Sequence, residues 1–389
     1  MKTNHNAQSP GALHGIKIVD LSIQIPGPYC SMILGDLGAE VIKIEQHGIG
    51  DFARALPHLF NGINRNKKSV ILELKSPKGK EILYKLVAHA DIVLEGFRPG
   101  VATKLDIDYA TLKEINPRII YCSISGYGQD GPYKNISGHD INYQGVSGLL
   151  SLTEDLKASA DLSGLPLADI AGSMFATISI LAALVDRAKT GTGQYIDVSM
   201  TAGIFSWAGT SLLTALKGLN NAESLYIPHY GIFQTKDNKF MTLGIIHEQH
   251  FWENLCTVID LGEMRNLNLT ERIAQREEVL GALQAAFMTK TREEWISLLH
   301  EADVPCSPVA TIEESFSDPQ ILHRKMVFEL EHPVEGTIKQ RAFPAKFSDM
   351  QVKQDVPPPL YGQHTDEILT ALGYSKDDIK KLREEKVVA

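Results

Sequence analysis

The 389-residue chain has room for two to three domains and for a core that needs no disulfide or metal staple. Hydrophobic residues at 43% and charged residues at 22% exclude a fibrous or extensively disordered protein. The net charge of −9, without a long basic run, argues against a nucleic-acid partner. The four cysteines (Cys30, Cys122, Cys256, Cys306) are far apart, which argues against a thiolate zinc site and fits a reducing cytoplasm.

Residues 1–10 are polar and lack the apolar stretch of a signal peptide. The longest apolar run, near 178–185, is too short to span a bilayer, so no membrane partner is expected. The first half alternates strand and helix signals. Strands are expected at 16–21, 41–44, 70–74, 92–94 and 119–124. A helix over 28–37 closes at Gly38, and another opens at Ser76-Pro77 with Ile82, Leu83, Leu86 and Val87 at helical spacing. This rhythm predicts an α/β fold with a largely parallel, doubly wound sheet. Two apolar helices at 170–188 and 201–217 flank a strand at 194–198. Next comes a hairpin, 231–235 and 239–243 around Lys236-Asp237-Asn238. Helices at 249–259, 272–288 and 291–301 follow, the last with a Thr291/Glu294 capping box. The tail is Pro-rich over 355–364 and ends in two amphipathic helices. The expected domains are a large one over 1–220, a smaller α+β one over 225–325, and a segment, 330–389, returning to the first.

Some motifs resemble chemistry without its required context. Gly126-Tyr127-Gly128-Gln129-Asp130-Gly131 is formally a dinucleotide fingerprint, but Pro132 and a polar stretch follow where a helix must start. It reads instead as a glycine-rich turn at a strand's carboxyl end. His247 and His250 are three apart, not the four of a helical zinc motif, so no metal is expected. Neither a nucleophile elbow nor a phosphate-binding P-loop is present.

Two residues stand out. His139 lies in Gly138-His139-Asp140-Ile141-Asn142-Tyr143, in a loop after a buried strand. Asp169 opens an apolar helix, where the dipole and free amides favour a carboxylate. On pattern alone Asp169 is as readily a helix cap and His139 a structural loop residue.

Several segments together resemble the class III CoA-transferase family, also called CaiB/BaiF. They include Gly27-Pro28-Tyr29, Asn64-Arg65-Asn66-Lys67-Lys68-Ser69, Glu95-Gly96-Phe97-Arg98-Pro99-Gly100, Thr190-Gly191-Thr192-Gly193-Gln194 and Gly362-Gln363-His364-Thr365. The resemblance implies a Rossmann-like large domain with a smaller α+β domain, and two chains interlocked as a homodimer. It also implies acyl-CoA thioester substrates, with no cofactor beyond the coenzyme A they carry. In the transferases the aspartate matched by Asp169 attacks the thioester and forms an acyl-enzyme anhydride. In the α-methylacyl-CoA racemase branch, a histidine and an aspartate matched by His139 and Asp169 move protons on opposite faces of Cα. Glu248, in Thr242-Leu243-Gly244-Ile245-Ile246-His247-Glu248, falls on an active-site glutamate of that branch. Backbone amides near Asp169 are candidates for holding the enolate oxygen. The stretch Ile170-Ala171-Gly172-Ser173 is more transferase-like. Against that, the glycine-rich loop of formyl-CoA-type transferases has only Gly244 to match it. His139 and Glu248 tip the expectation to the racemase chemistry. For coenzyme A, the resemblance points to Arg98 and Gln24, with Lys67, Lys104 and Arg65 as weaker candidates. Gln46 stands where relatives carry an arginine. Tyr143, Phe233, Phe251 and Trp252 are candidates for the acyl pocket.

Overall fold

The computed structural model describes residues 11–152, 164–217 and 227–389. Expectations for residues 1–10 and for a boundary between 220 and 225 lie outside them. The chain forms two compact units, one of residues 1–212 with 325–389, the other of residues 213–324.

In chain order the elements are β1 (Lys17–Asp20), α1 (Pro26–Asp36), β2 (Glu40–Glu45), α2 (Pro57–Ile63), β3 (Lys67–Ile71), α3 (Pro77–Val87), β4 (Ile92–Glu95), α4 (Val101–Lys104), α5 (Tyr109–Ile115), β5 (Ile120–Ser125), α6 (Asp140–Val146), α7 (Leu167–Thr190), β6 (Tyr195–Ser199) and α8 (Met200–Leu216). Then come β7 (Tyr230–Gln234), β8 (Phe240–Gly244), α9 (Gln249–Val258), α10 (Leu269–Ala274), α11 (Arg276–Phe287), α12 (Arg292–Glu301), β9 (Cys306–Pro308), α13 (Ile312–Ser317), α14 (Pro319–His323), β10 (Val327–His332), β11 (Gly336–Arg341), α15 (Thr365–Ala371) and α16 (Lys376–Glu384).

The first unit is built on a six-stranded sheet in the order β3-β2-β1-β4-β5-β6, parallel throughout. Strands β1 to β5 are short apolar runs largely buried on both faces, so successive residues feed two different cores, while the edge strand β6 is partly exposed. Ile18, Leu94, Cys122 and Ile124 face one core with Cys30, Leu34, Ala171, Ala176 and Ile180 of α1 and α7. Val19, Val93 and Tyr121 face the other, with Leu83 and Val87 of α3, Leu112 of α5, Ile368 of α15 and Leu382 of α16. The strand order reverses between β1 and β4. In such sheets the crevice outside the carboxyl ends at that point receives ligands.

Helix α7 corrects one expectation. It is 24 residues long and apolar enough by length and composition to cross a membrane. Its Ala168, Ala171, Ala176 and Ile180 stripe is buried in the first core. The hairpin β10–β11 was not anticipated; its second strand is largely exposed and carries little apolar alternation.

The second unit has the antiparallel sheet β7-β8-β9 packed on α9, α11 and α12. The helix expected over 272–288 is two helices: Asn268 and Glu271 form a capping box that starts α10 early, and the chain breaks at Gln275. The Thr291/Glu294 capping box is present. Phe233 and Trp252, candidates for a pocket wall, are core residues here, and Phe251 packs against the same cluster.

Candidate active site

A cavity of about 570 Å³ opens in the first unit at the carboxyl ends of β1, β4 and β5. Gln24 and Gly27 line it after β1, Gly96 and Arg98 after β4, and Gly126 and Gly128 after β5. His139, Tyr143 and Asp169 line the same cavity, so stretches far apart in sequence converge on it.

The Gly126–Gly131 run makes a turn with positive φ at Gly128 (97°) and Gly131 (78°), and no helix begins until Asp140. Its glycines serve packing. A Cβ on Gly126 would meet the Tyr143 ring at 2.4 Å, and one on Gly138 would meet it at 2.8 Å. The ring fits because both are absent. Tyr143 Oη donates to the Gly138 carbonyl at 2.5 Å, and Tyr127 meets the ring edge-on at 5.2 Å. Burial, with the nearby Asp169 carboxylate, pushes the Tyr143 phenol up to about 12.

Asp169 is the third residue of α7, in the first turn but not at the cap. The cap comes from Asp140, whose Oδ1 accepts from the Ala168 amide at 2.7 Å and the Asp169 amide at 3.1 Å. The Ile170 amide is taken by the Pro166 carbonyl at 3.0 Å. Two expectations change. Asp169 is not its own helix's cap, and the amides near it are spent within the fold, not left for an enolate oxygen. The carboxyl of Asp169 is pushed up to about 7, first by burial and then by the like charge of Asp140. The helix dipole favours the anion, but burial and Asp140 outweigh it. Near neutral pH the group is therefore divided between acid and base forms. His139 is exposed at the N-terminus of α6, its backbone N–H donating to Asn142 Oδ1 at 2.9 Å.

The cation candidates separate. Arg98 is exposed at the cavity, on a loop pinned by Glu95, which accepts from the Phe97 amide at 2.6 Å and from the Ser123 hydroxyl. Lys104 is exposed at the end of α4 and does not line the cavity. Lys67 is a correction. It is 1% exposed, and its ammonium contacts Pro28 O at 2.8 Å, Asn64 Oδ1 at 2.9 Å and Asp20 Oδ2 at 3.3 Å. Three partners use its three protons, leaving none for a phosphate. Arg65 is likewise buried, in a two-pronged pair with Asp36. Gln24 holds a left-handed φ of 63°. Glu248 lies in the second unit, where its Oε2 accepts from the Ile246 amide at 3.0 Å and the His247 amide at 3.1 Å. Its own amide first, and then that of Ile246, hold its carboxyl below the usual range.

Lys134, Asn142 and Asp140 were not singled out from sequence. Lys134 and Asn142 line the cavity. Asp140 sat inside the recognised string, but nothing in the sequence says which helix it caps. Among the described residues, no group of three or more His, Cys, Asp or Glu side chains is placed to hold a metal ion.

The sequence profile of CoA-transferase family III matches residues 13–365. The chain is 34% identical to human succinyl-CoA:glutarate CoA-transferase, covering 92% of this chain and 85% of that one. It is 33% identical to human alpha-methylacyl-CoA racemase, covering 97% of each. It is 32% identical to an acetyl-CoA:oxalate CoA-transferase from Acetobacter aceti, covering 88% of this chain and 90% of the relative. The crystal structure of a CaiB/BaiF family protein from Brucella suis superposes with a TM-score of 0.81 at 29% identity, covering 94% of this chain and all of that one. The parallel sheet and the match from residue 13 to residue 365 make this chain a member of CoA-transferase family III, whose relatives include both CoA-transferases and racemases.

Proposed function

We propose that this protein epimerises a 2-methylacyl-CoA at Cα by proton transfer between His139 and Asp169. The observation that carries this is the placement of both side chains on one cavity, with the Asp169 carboxyl raised to about 7. Inversion needs one group that takes the α-proton from one face and another that returns a proton to the opposite face. A carboxyl near 7 serves in either direction at neutral pH. Arg98 would hold a phosphate of coenzyme A through its forked guanidinium, with Lys104 at the end of the following helix α4. Gln24 would lie beside the pantetheine arm, and Tyr143 beside the acyl group. Glu248 enters as a helper that shapes its own loop. Coenzyme A arrives as part of the substrate, and no other cofactor is required.

A second reading, CoA transfer from an acyl-CoA to a free carboxylate, has Asp169 as the nucleophile. The Asp169-Ile170-Ala171-Gly172-Ser173 run and the 34% identical transferase relative favour it. A homodimer belongs to either reading: Ile178, Val185, Phe205 and Trp207 on α7 and α8 are large apolar side chains left exposed. A cytoplasmic setting is consistent with four free cysteines, three of them buried.

The deciding experiment follows one enantiomer of a 2-methylacyl-CoA in deuterated water. Deuterium at Cα with loss of chirality, abolished in His139→Ala, is the expected result. No exchange across a panel of acyl-CoAs, with CoA passing to added carboxylates and surviving His139→Ala, would make the protein a transferase.

A further inference from the structure

Beneath the cavity wall lies a set of buried charges that no proton transfer uses. Lys43 and Asp51 are 0% and 1% exposed and paired at 2.8 Å. Asp51 Oδ1 accepts from the Gln24 amide and from the Ala53 amide, each at 2.9 Å. Lys43 Nζ donates to the Ser22 carbonyl at 2.8 Å. Ser22 is also fixed through its amide by Asp20 at 2.9 Å. One carboxylate therefore joins two chain turns, the one at 22–25 and the short helical turn Phe52–Ala55. Ile23 and Gln24 from the first turn and Phe52 from the second line the cavity.

The conformation being held is a costly one. Gln24 sits at φ 63°, a region that residues with a Cβ rarely occupy and that persists only where the surroundings enforce it. A buried ion pair is weak evidence for stability, since apolar residues of similar volume commonly do as well. Its aim here is specific. The pair's anion is bonded to the one strained amide on the cavity wall.

We propose that Asp51, neutralised by Lys43, is a positioning residue that clips these two turns together and so presents the Gln24 backbone to the pantetheine arm of the substrate. This rests on the acyl-CoA reading above. Asp51 touches no substrate; it acts through Gln24 and Phe52.

The test compares pairs of substitutions that leave no buried charge unpaired. Lys43→Met with Asp51→Asn keeps an oxygen for the Gln24 and Ala53 amides. Lys43→Met with Asp51→Leu removes it at similar volume. Free coenzyme A is titrated calorimetrically into each, and amide exchange is read at Gln24 and Ala53. The Asn pair should bind within about twofold of the natural protein, and the Leu pair about tenfold more weakly, the weight of one lost hydrogen bond. Adding Gln24→Gly to the Leu pair should recover most of the loss, because glycine adopts positive φ without help. A merely structural role would lower melting temperature in both pairs alike and leave the Gly rescue without effect. Leu-pair protein that is folded, binds coenzyme A normally and keeps its Gln24 amide protected overturns the clip. Natural protein that binds no coenzyme A overturns the acyl-CoA reading itself; protection at Gln24 in that protein, lost in the Leu pair, would leave the clip as geometry without this purpose.

Discussion

Two acidic residues sit at helix N-termini in this molecule and behave in opposite ways. Asp169 lies in the first turn of α7 with its carboxyl raised to about 7. Glu248 stands at the start of α9, with no side-chain bond to the helix amides, and its carboxyl is held below the usual range. The helix end is common to both, so the dipole does not account for the difference. Burial does so first, and occupancy of the nearby amides second. At α7 a second carboxylate, Asp140, takes the Ala168 and Asp169 amides, which leaves Asp169 part-buried beside a like charge. At α9 Glu248 keeps its own loop amides. A carboxylate that receives the amides is stabilised as an anion; one that is buried beside a like charge titrates near neutral pH.

The largest expected effect separates the two directly. Asp169→Asn should lower α-proton exchange, or CoA transfer, by about a thousandfold or more, because either chemistry passes through that oxygen. Glu248→Gln should cost about tenfold or less. Steady-state rates of both variants measure this, and equal losses would break the comparison by making the glutamate a direct participant.

Asp140→Asn comes next and isolates the cause. The amide oxygen still accepts from the α7 amides, but the negative charge is gone. The base form of Asp169 is the active one, so kcat/KM of the natural protein should rise with pH through about 7. In Asp140→Asn this limb should move to lower pH by about one unit. An unmoved limb would assign the whole shift to burial. Asp140→Ala should also uncap α7, at a stability cost of about 1 kcal/mol, read by chemical denaturation.

Much of this arrangement was legible in the sequence. Buried β-branched runs at regular spacing gave five of the six parallel strands, the run at 194–198 being read as a strand between two helices, and the string from Gly138 to Tyr143 with the carboxylate at 169 lines the cavity. Sequence does not say who faces whom across space. Asp140 was visible in its motif, but its acceptance of the α7 amides depends on a packing 28 residues away. The Asn64–Ser69 cations look like a surface run suited to phosphate. Lys67 lies on β3 and Asp20 on β1, separated by β2, and their pairing turns the lysine inward. The break at Gln275 was missed because no glycine or proline marks it, and the capping box at Asn268 that starts α10 uses only polar atoms.

Stability offers a smaller effect with a definite sign. The Asp169 carboxyl is higher in the fold than its ordinary 3.8, so the folded state holds a proton that the unfolded chain has released. Stability of the natural protein should therefore fall as pH rises from about 4 to about 7, then level off. Asp169→Asn removes that dependence. It should be more stable than the natural protein by about 1–2 kcal/mol at pH 8, allowing for partial exposure, and nearly equal at pH 4. Denaturant midpoints at the two pH values read this out; a pH-independent difference would place the shift elsewhere.

The smallest effect belongs to Glu248 and concerns its loop. Glu248→Gln keeps an oxygen that can accept, but a neutral one, so the bonds to the Ile246 and His247 amides weaken without disappearing. Hydrogen exchange at these two amides should quicken several-fold, while the core amides of β8 and α9 stay unchanged. Titrating the natural protein through the acidic range should reproduce that quickening as the carboxylate is neutralised, and Glu248→Gln should no longer respond. If the two amides are indifferent to both changes, the loop is held by its other contacts, His229 to the Ile246 carbonyl at 3.2 Å among them. The contrast with Asp169 would then lie in burial alone.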